Sequence, residues 1–344
     1  MTWATPQFSK GAVDRAGRVL ANSLASAEEL TEALVVINNW RSSHSFPLNT
    51  MQVGLRRRAR QVDPNALVAQ RIKRLSSIEA KLRRFDKMML SRMQDIGGAR
   101  AVVGSVPKVR ELVRLYQESD LKHKLASFDD YIAEPQSSGY RGVHLVYRYF
   151  SDKISTYNGL QIELQLRSPL QHAWATAVET VGTFLKQALK ASQGHAEWLR
   201  FFALMGSALA FRERSSLVPG TPQTRRELVE ELRKAAIALD VERRLESYGA
   251  ALRTLEDPSA ANADFFLLAL NPTEGTVSIS GYSRAKLDKA TVDYLLVEKS
   301  LEASPGAEAV LVSVDSIAAL KRAYPNYFLD TRVFLKALQQ AIAP

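Results

Sequence analysis

The run from Leu160 to Arg167 alternates without a break. Leu160, Ile162, Leu164 and Leu166 fall on one face of a strand, and Gln161, Glu163, Gln165 and Arg167 fall on the other. A carboxylate on such a face can share a divalent cation. The same face also suits a strand that simply meets water. Asp95, in MQDIGGAR (93–100), precedes a second strand and is followed by Gly97 and Gly98, which let a backbone or ligand approach closely. Carboxylates at the ends of two strands can jointly hold Mg2+, which prefers hard oxygen ligands and keeps several waters. Taken alone, Asp95 equally reads as a turn residue. In DYIAEPQSSGYRGVH (130–144), a turn through Pro135, two serines and Gly139 displays Tyr140 beside Arg141 and His144. Such an aromatic is either a stacking platform for a base or a tyrosine tucked under its own loop.

Charge narrows the choice of partner. The net charge is +10, and residues 1–100 hold 17 Lys/Arg against 8 Asp/Glu, so nearly the whole excess lies in the first third. Arg56, Arg57, Arg58 and Arg60 come first, then Arg71, Lys73, Arg74, Lys81, Arg83, Arg84 and Lys87. This is either a solvated helical face or a site for nucleotide phosphates, for tRNA, or for both. Zero cysteines exclude disulfides, thiolate metal sites and a cysteine nucleophile, and five scattered histidines argue against a histidine-rich metal centre. With no apolar run long enough to span a bilayer and no signal-like N-terminus, the expectation is a cytoplasmic protein without a membrane partner.

The elements that must position these residues follow from periodicity. Residues 11–70 read as helical, broken at Phe46-Pro47 and Asp63-Pro64. SSIEAKLRR is a helix with Ser76 or Ser77 as its cap and Lys81 one turn inside. ARAVVG (99–104), VHLVYRYF (143–150) and LQIELQLR (160–167) read as strands, the last two joined by SDKISTYNG as an antiparallel hairpin, and a helix runs through Val109–Tyr116. The pattern is α+β, a mixed sheet flanked by helices. Leu170 to Phe211 reads as helix, and a further helix starts at a capping box, Thr224 to Glu227, and carries one stripe from Leu228 to Leu255. SSLVPGTPQ (215–223) between them reads as a hinge. FFLLAL (265–270), the turn NPTEG, TVSISGY (276–282), a helix over Leu287–Leu301, AVLVSV (309–314) and a helix after Tyr327 compose a small β-β-α-β-α unit. The expected division is 1–214, 215–260 as hinge and linking helix, and 261–344.

Four segments in this order, RIKRLSSIEAKL (71–82), MQDIGGAR (93–100), DYIAEPQSSGYRGVH (130–144) and IELQLRSPLQHAWATAVE (162–179), resemble the synthetase domain of the RelA/SpoT family. The resemblance covers roughly residues 30–200 and implies a nucleotidyltransferase-like fold. It also implies an enzyme that moves the β,γ-pyrophosphate of ATP to a ribose 3′-hydroxyl and releases AMP. Carried over residue by residue, Arg71 and Arg100 resemble the pair that sandwiches adenine, and Lys73, Ser77 and Lys81 the phosphate-binding group. Asp95 resembles the Mg2+ ligand and Glu163 the general base or second metal contact. Tyr140 resembles the residue stacked on the acceptor base, with His144, Gln165 and Arg167 on the acceptor side. Many members that use guanine nucleotides have lysine after the proline of the acceptor loop; Gln136 stands there, which argues against GDP or GTP as acceptor. The His-Asp metal site of the family's hydrolase domain has no counterpart.

Tyr324 and Tyr327 sit in Tyr324-Pro325-Asn326-Tyr327 near the end of the chain, where spacing alone has them packing the final helix on its sheet. A hairpin unit ending in Tyr-x-x-Tyr behind such a synthetase is similar to the CapRel group of fused toxin–antitoxin proteins. That likeness implies a C-terminal pseudo-zinc-finger whose tyrosines block the ATP site until a phage capsid protein releases them. It also implies transfer of pyrophosphate to the 3′-terminal adenosine of tRNA. Against this toxin reading stand a (p)ppGpp synthetase using GDP or GTP, and a catalytically silent RNA- or protein-binding regulator. The presence of both Asp95 and Glu163 argues against the last.

Overall fold

A computed structural model describes residues 3–188, 195–250, 252–301, 304, 306–314 and 316–343. The first hundred residues open with three helices, α1 (Lys10–Ala21), α2 (Ala27–Ser43) and α3 (Ser45–Val62). Ser9 caps α1, and Ser26 with Glu29 forms a full capping box on α2. The helical reading of 11–70 fails beyond Val62. Asp63 is extended (φ −145°), as a residue before proline is pushed to be, and Leu67–Ile72 is a strand, β1. Its middle is buried and it lies in the interior of the sheet, so its apolar run lacks the alternation that would have marked it as a strand.

Next come α4 (Leu75–Arg84), β2 (Gly97–Val102), α5 (Val106–Gln117), β3 (Lys124–Asp130), β4 (Val143–Arg148) and β5 (Gln161–Arg167). The β4–β5 hairpin is antiparallel as expected. β3 escaped the reading because it is an outer strand whose sequence, KLASFDD, has no buried face to impose a period. Neither Ser76 nor Ser77 caps α4. The strand ladder continues as far as Lys73, whose N–H reaches the Ile96 carbonyl at 2.8 Å, so the helix begins at once after Arg74 and both serines fall inside its first turn.

Helices α6 (Pro169–Ala188) and α7 (His195–Glu213) follow, and part of the stretch read as one long helix lies outside the described residues. Thr224 caps α8 (Arg225–Ala238) through the Glu227 N–H. The expected stripe to Leu255 is broken: Asp240 takes a left-handed φ of 49°, α9 (Val241–Ala250) starts afresh, and Leu255 lies exposed in β6 (Arg253–Glu256). Segment 215–223 does not behave as a loose hinge. Val218 is buried with its N–H on Ser207 Oγ at 2.8 Å, and Thr221 bonds the same hydroxyl at 2.6 Å.

The C-terminal hairpin is β7 (Phe265–Asn271) and β8 (Thr276–Tyr282), followed by α10 (Leu287–Ser300), β9 (Glu308–Ser313), α11 (Ile317–Ala323) and α12 (Arg332–Ile342). The β-β-α-β-α expectation thus gains α11 and, on the outer edge, β6 paired parallel to β8. The described strands form one mixed sheet in the order β3-β4-β5-β2-β1-β9-β7-β8-β6. β9 joins the two halves by pairing with β1 at Gln70–Ser313 and Arg71–Val312. Packing also runs across the expected boundaries. Phe334, Leu335 and Leu338 of α12 share a core with Trp174 and Phe201, and Ala69 of β1 shares one with Tyr324 and Tyr327. No helix among the described residues is long and apolar enough to cross a membrane.

Candidate active site

Strand register builds the site. Arg71 pairs across to Gly98 and Gly98 to Glu163, giving one row over β1, β2 and β5. The neighbouring row runs Ala69, Arg100, Gln165 and His144 over β1, β2, β5 and β4. Both rows face the same way, because residues two apart on a strand share a face. The two glycines of MQDIGGAR divide the work. A Cβ on Gly97 would meet Ile162 Cδ1 at 2.8 Å, so this glycine serves packing, whereas a Cβ on Gly98 would meet nothing within 4 Å. The missing side chain at Gly98 opens the floor of a cavity between Arg71 and Glu163.

That cavity takes Arg71, Lys73, Asp95, Arg100, Glu163 and Gln165, six of the residues singled out in the sequence, and a seventh, Tyr324, comes from the C-terminal unit. Lys73 Nζ lies 2.6 Å from one oxygen of Asp95, and Lys81 Nζ lies 3.0 Å from the other. Burial alone would raise the Asp95 pKa, but the two ammonium groups outweigh it and hold the carboxylate below its usual range. Ser77 does not line the cavity; its hydroxyl lies 3.4 Å from Arg74 Nε on the first turn of α4.

Tyr140, His144 and Arg167 form a cluster beside Glu163. Glu163 Oε1 stands 3.0 Å from His144 Nδ1, and Gln165 Nε2 donates to Glu163 Oε2 at 2.6 Å. The other imidazole nitrogen meets the Tyr140 hydroxyl at 2.5 Å, and Arg167 donates to that hydroxyl at 2.8 Å. Burial opposes a charge on His144, yet Tyr140 and Glu163 overcome it and lift its pKa to about 9. Burial likewise works against ionised Glu163, and the His144 contact outweighs it, so this carboxyl falls below its ordinary value. At neutral pH the pair is therefore an imidazolium beside a carboxylate. Tyr140 has the Arg167 guanidinium over its ring at 5.1 Å, with Tyr131 and Trp174 against it edge-on. Its loop depends on Gly139 (φ +96°), where a Cβ would fall 2.6 Å from the Phe202 carbonyl.

Of the two C-terminal tyrosines, Tyr324 lines this cavity and Tyr327 does not. Tyr324, 2% exposed, donates its hydroxyl to the Gln70 carbonyl at 2.9 Å and lies under the Arg100 guanidinium, 5.3 Å from ring centroid to Cζ. Arg100 also donates to the Ala323 carbonyl. Burial pulls the Arg100 pKa down to about 10, with Arg167 adding to the effect and Tyr324 opposing it. Tyr327 is fully buried, and its hydroxyl accepts from Arg74 at 3.2 Å. Both tyrosines pack in the core of β7, β8, β9 and α11 and not under the final helix, whose Phe334, Leu335 and Leu338 belong to another core, and their polar ends reach into the other half.

Sequence reasoning missed three participants. Arg74 bonds Glu308 as well as Tyr327, but in a dense basic run nothing distinguished it. Glu179, buried among Arg71, Arg74, Arg100 and Arg167, is held well ionised by them against the effect of burial. It closed a motif that was quoted without a role for it. His172 is hydrogen-bonded at 3.1 Å to the Arg322 carbonyl, and burial beside Arg100 and Arg167 keeps it neutral.

For a metal, Asp95 and Glu163 are the carboxylates that line the cavity, and among the described residues no group of three His, Cys, Asp or Glu side chains is placed to hold an ion. Two carboxylates suit Mg2+, which completes its shell with water and substrate phosphate.

Residues 70–183 match the model described as a region found in RelA / SpoT proteins. Two curated relatives from Bacillus subtilis (strain 168) are similar to this chain. GTP pyrophosphokinase YjbM is 34% identical over 118 residues, which is 33% of this chain and 54% of that protein. GTP pyrophosphokinase YwaC is 29% identical over 112 residues, 31% of this chain and 52% of the relative. The chain thus spans about half the length of the curated relatives it matches. Among solved structures, small alarmone synthetase 1 from Bacillus subtilis bound to its product pppGpp is 22% identical with a TM-score of 0.43, covering 54% of this chain and 94% of that one. Arg71, Lys73, Asp95, Arg100, Glu163 and Gln165, the basic and acidic lining of the cavity, all lie within the stretch that matches the RelA / SpoT region.

Proposed function

We propose that this chain is an ATP-dependent pyrophosphokinase whose own C-terminal unit holds it closed. The observation that carries the reading is Tyr324, an aromatic from the far end of the sequence seated in the cavity on Arg100, where an adenine would stack. With Tyr324 withdrawn, the Arg71 and Arg100 guanidiniums offer planar cationic surfaces to a base. Lys73 and Lys81, freed from Asp95, neutralise the triphosphate. Asp95 and Glu163 would hold Mg2+, which supplies charge neutralisation along the polyphosphate. The 3′-oxygen of the acceptor attacks the β-phosphorus, the bond from that phosphorus to the α,β-bridging oxygen breaks, and AMP leaves. Glu163, ionised at neutral pH, receives the hydroxyl proton, with His144 holding it in place. Such a transfer relies on alignment and charge rather than on a covalent intermediate.

The acceptor in this reading is the 3′-terminal adenosine of tRNA, supported by the basic first third of the chain and by Gln136 in the acceptor loop. Closing by a Tyr-x-x-Tyr segment fits a toxin of the CapRel type, acting in the cytoplasm and opened when a phage protein such as capsid binds the C-terminal unit, here read as a pseudo-zinc-finger. A second reading, a (p)ppGpp synthetase using GDP or GTP, is favoured by the names of both curated relatives. The test offers γ-³²P-labelled ATP with bulk tRNA and GDP/GTP to the full chain carrying Tyr324→Ala and Tyr327→Ala. Label on the tRNA 3′ end supports the first reading. Label on guanine nucleotide supports the second, and label on neither refutes both.

A further inference from the structure

Lys73, Arg74 and Leu75, where β1 gives way to α4, are tied to the C-terminal unit, and none of these ties involves Tyr324. The Lys73 carbonyl accepts from Arg41 Nε at 3.1 Å, and Arg41 in turn pairs with Glu298 of α10 at 3.0 Å. The Arg74 guanidinium is held by Glu308 and by the Tyr327 hydroxyl. The Leu75 N–H, in the first turn of α4, donates to Glu298 Oε1 at 2.8 Å, a bond spanning 223 positions in the chain. α4 has no side-chain cap at its own N-cap residue, Arg74. Glu298 is thus a cap provided from outside. Its carboxylate also accepts from Tyr294 at 2.8 Å, and Arg41, 2% exposed, donates to Asn38 at 2.9 Å as well.

We propose that Glu298, braced by Arg41, is a second lock on the cavity: it covers the phosphate end while Tyr324 covers the base end. The proposal rests on the reading of the cavity as a nucleotide site. The helix that Glu298 caps carries Lys81, and the turn before it carries Lys73, the two cations gripping Asp95. A carboxylate at a helix N-terminus satisfies its free N–H groups and cancels the positive end of its dipole. A triphosphate approaching Lys73 and Lys81 would meet two acids, Glu298 and Glu308, instead of open amides. The two locks are physically separate. Glu298 belongs to α10 and Tyr324 follows α11, so either can be removed without touching the other.

Glu298→Gln in the full chain keeps an acceptor for Leu75 and removes the charge. Hydrogen–deuterium exchange should then rise in peptides covering 73–84, and a non-hydrolysable ATP analogue with Mg2+ should bind at least fivefold more tightly by calorimetry. Because Arg41 loses its counter-charge, Tyr294→Phe serves as a milder second variant that leaves all charges in place. It should shift both readouts in the same direction by less. Unchanged exchange in 73–84 overturns the lock. So does faster exchange with no gain in affinity, when Tyr324→Ala does gain affinity. If the analogue binds no variant, Tyr324→Ala included, the nucleotide reading beneath the lock is refuted instead.

Discussion

Replacing Tyr324 with alanine tests how firmly the C-terminal unit closes the cavity. Two interactions cross from this side chain to the other half of the molecule. One is the hydrogen bond to the Gln70 carbonyl at 2.9 Å, a buried neutral bond with a net value of about 0.5–1.5 kcal/mol. The other is the ring beneath Arg100 at 5.3 Å, worth about 0.5–2 kcal/mol when shielded from water. Together they stabilise the closed form by roughly 1–3.5 kcal/mol, so their loss raises the open fraction by about five- to 400-fold. Truncating a buried aromatic also loses packing: the part against the C-terminal elements is common to open and closed forms, whereas the part shared with Ala69 of β1 adds to the shift. Apparent nucleotide affinity scales with the open fraction, so Tyr324→Ala should bind a non-hydrolysable ATP analogue about five- to 400-fold more tightly by calorimetry. Tyr324→Phe keeps the ring over Arg100 and should give only the hydrogen-bond share, about tenfold or less. Equal affinity for wild type and Tyr324→Ala, with both folded, would refute the argument that this ring competes with a ligand.

Two further outcomes follow from the groups around Tyr140 and His144. The folded pKa of His144, about 9, lies above the ordinary imidazole value of about 6.5, so the folded state binds its proton more tightly than the unfolded chain does. The stabilisation is complete below about pH 6.5 and is lost as pH rises through 9, so the melting temperature of wild type should fall relative to His144→Gln across that window; a parallel pair of curves would contradict the His144–Glu163 pairing. Beneath the loop that displays Tyr140, Arg141 and Glu213 form a buried ion pair at 2.6 Å, with Gln171 donating to the same carboxylate at 3.1 Å. Glu213→Ala leaves Arg141 as an uncompensated buried charge and should cost about 3–5 kcal/mol of stability by urea unfolding; a loss under about 1 kcal/mol would show the pair to be dispensable.

The β2–β5 side of the cavity was legible because strand periodicity reports faces. Alternation in 160–167 put Glu163 and Gln165 on one side, and the Gly97-Gly98 pair pointed to the cavity floor. β1 was not legible, although it carries Arg71: a strand buried on both faces has no polar alternation, and an apolar run of that length fits a helix as well. β3 was hidden for the opposite reason, since an exposed outer strand lacks apolar periodicity. The Tyr324-to-Arg100 contact joins residues more than two hundred positions apart, and spacing carries no information on such a meeting. Its seat is made by β9 pairing with β1 through only Gln70 and Arg71, a register that depends on the whole C-terminal unit being folded. Glu298 was invisible for the same reason, because a helix cap was sought among neighbours at Ser76 and Ser77 rather than across the fold.

A pyrophosphokinase shut by its own C-terminal unit reveals itself in its nucleotide product. Chromatography of ATP incubated with Mg2+ and both classes of acceptor, using the wild-type full chain and the Tyr324→Ala, Tyr327→Ala variant, distinguishes the outcomes. The account predicts AMP from the variant, abolished by adding Glu163→Gln, and at least tenfold less AMP from wild type. Formation of ADP, or equal AMP from wild type and variant, would contradict it.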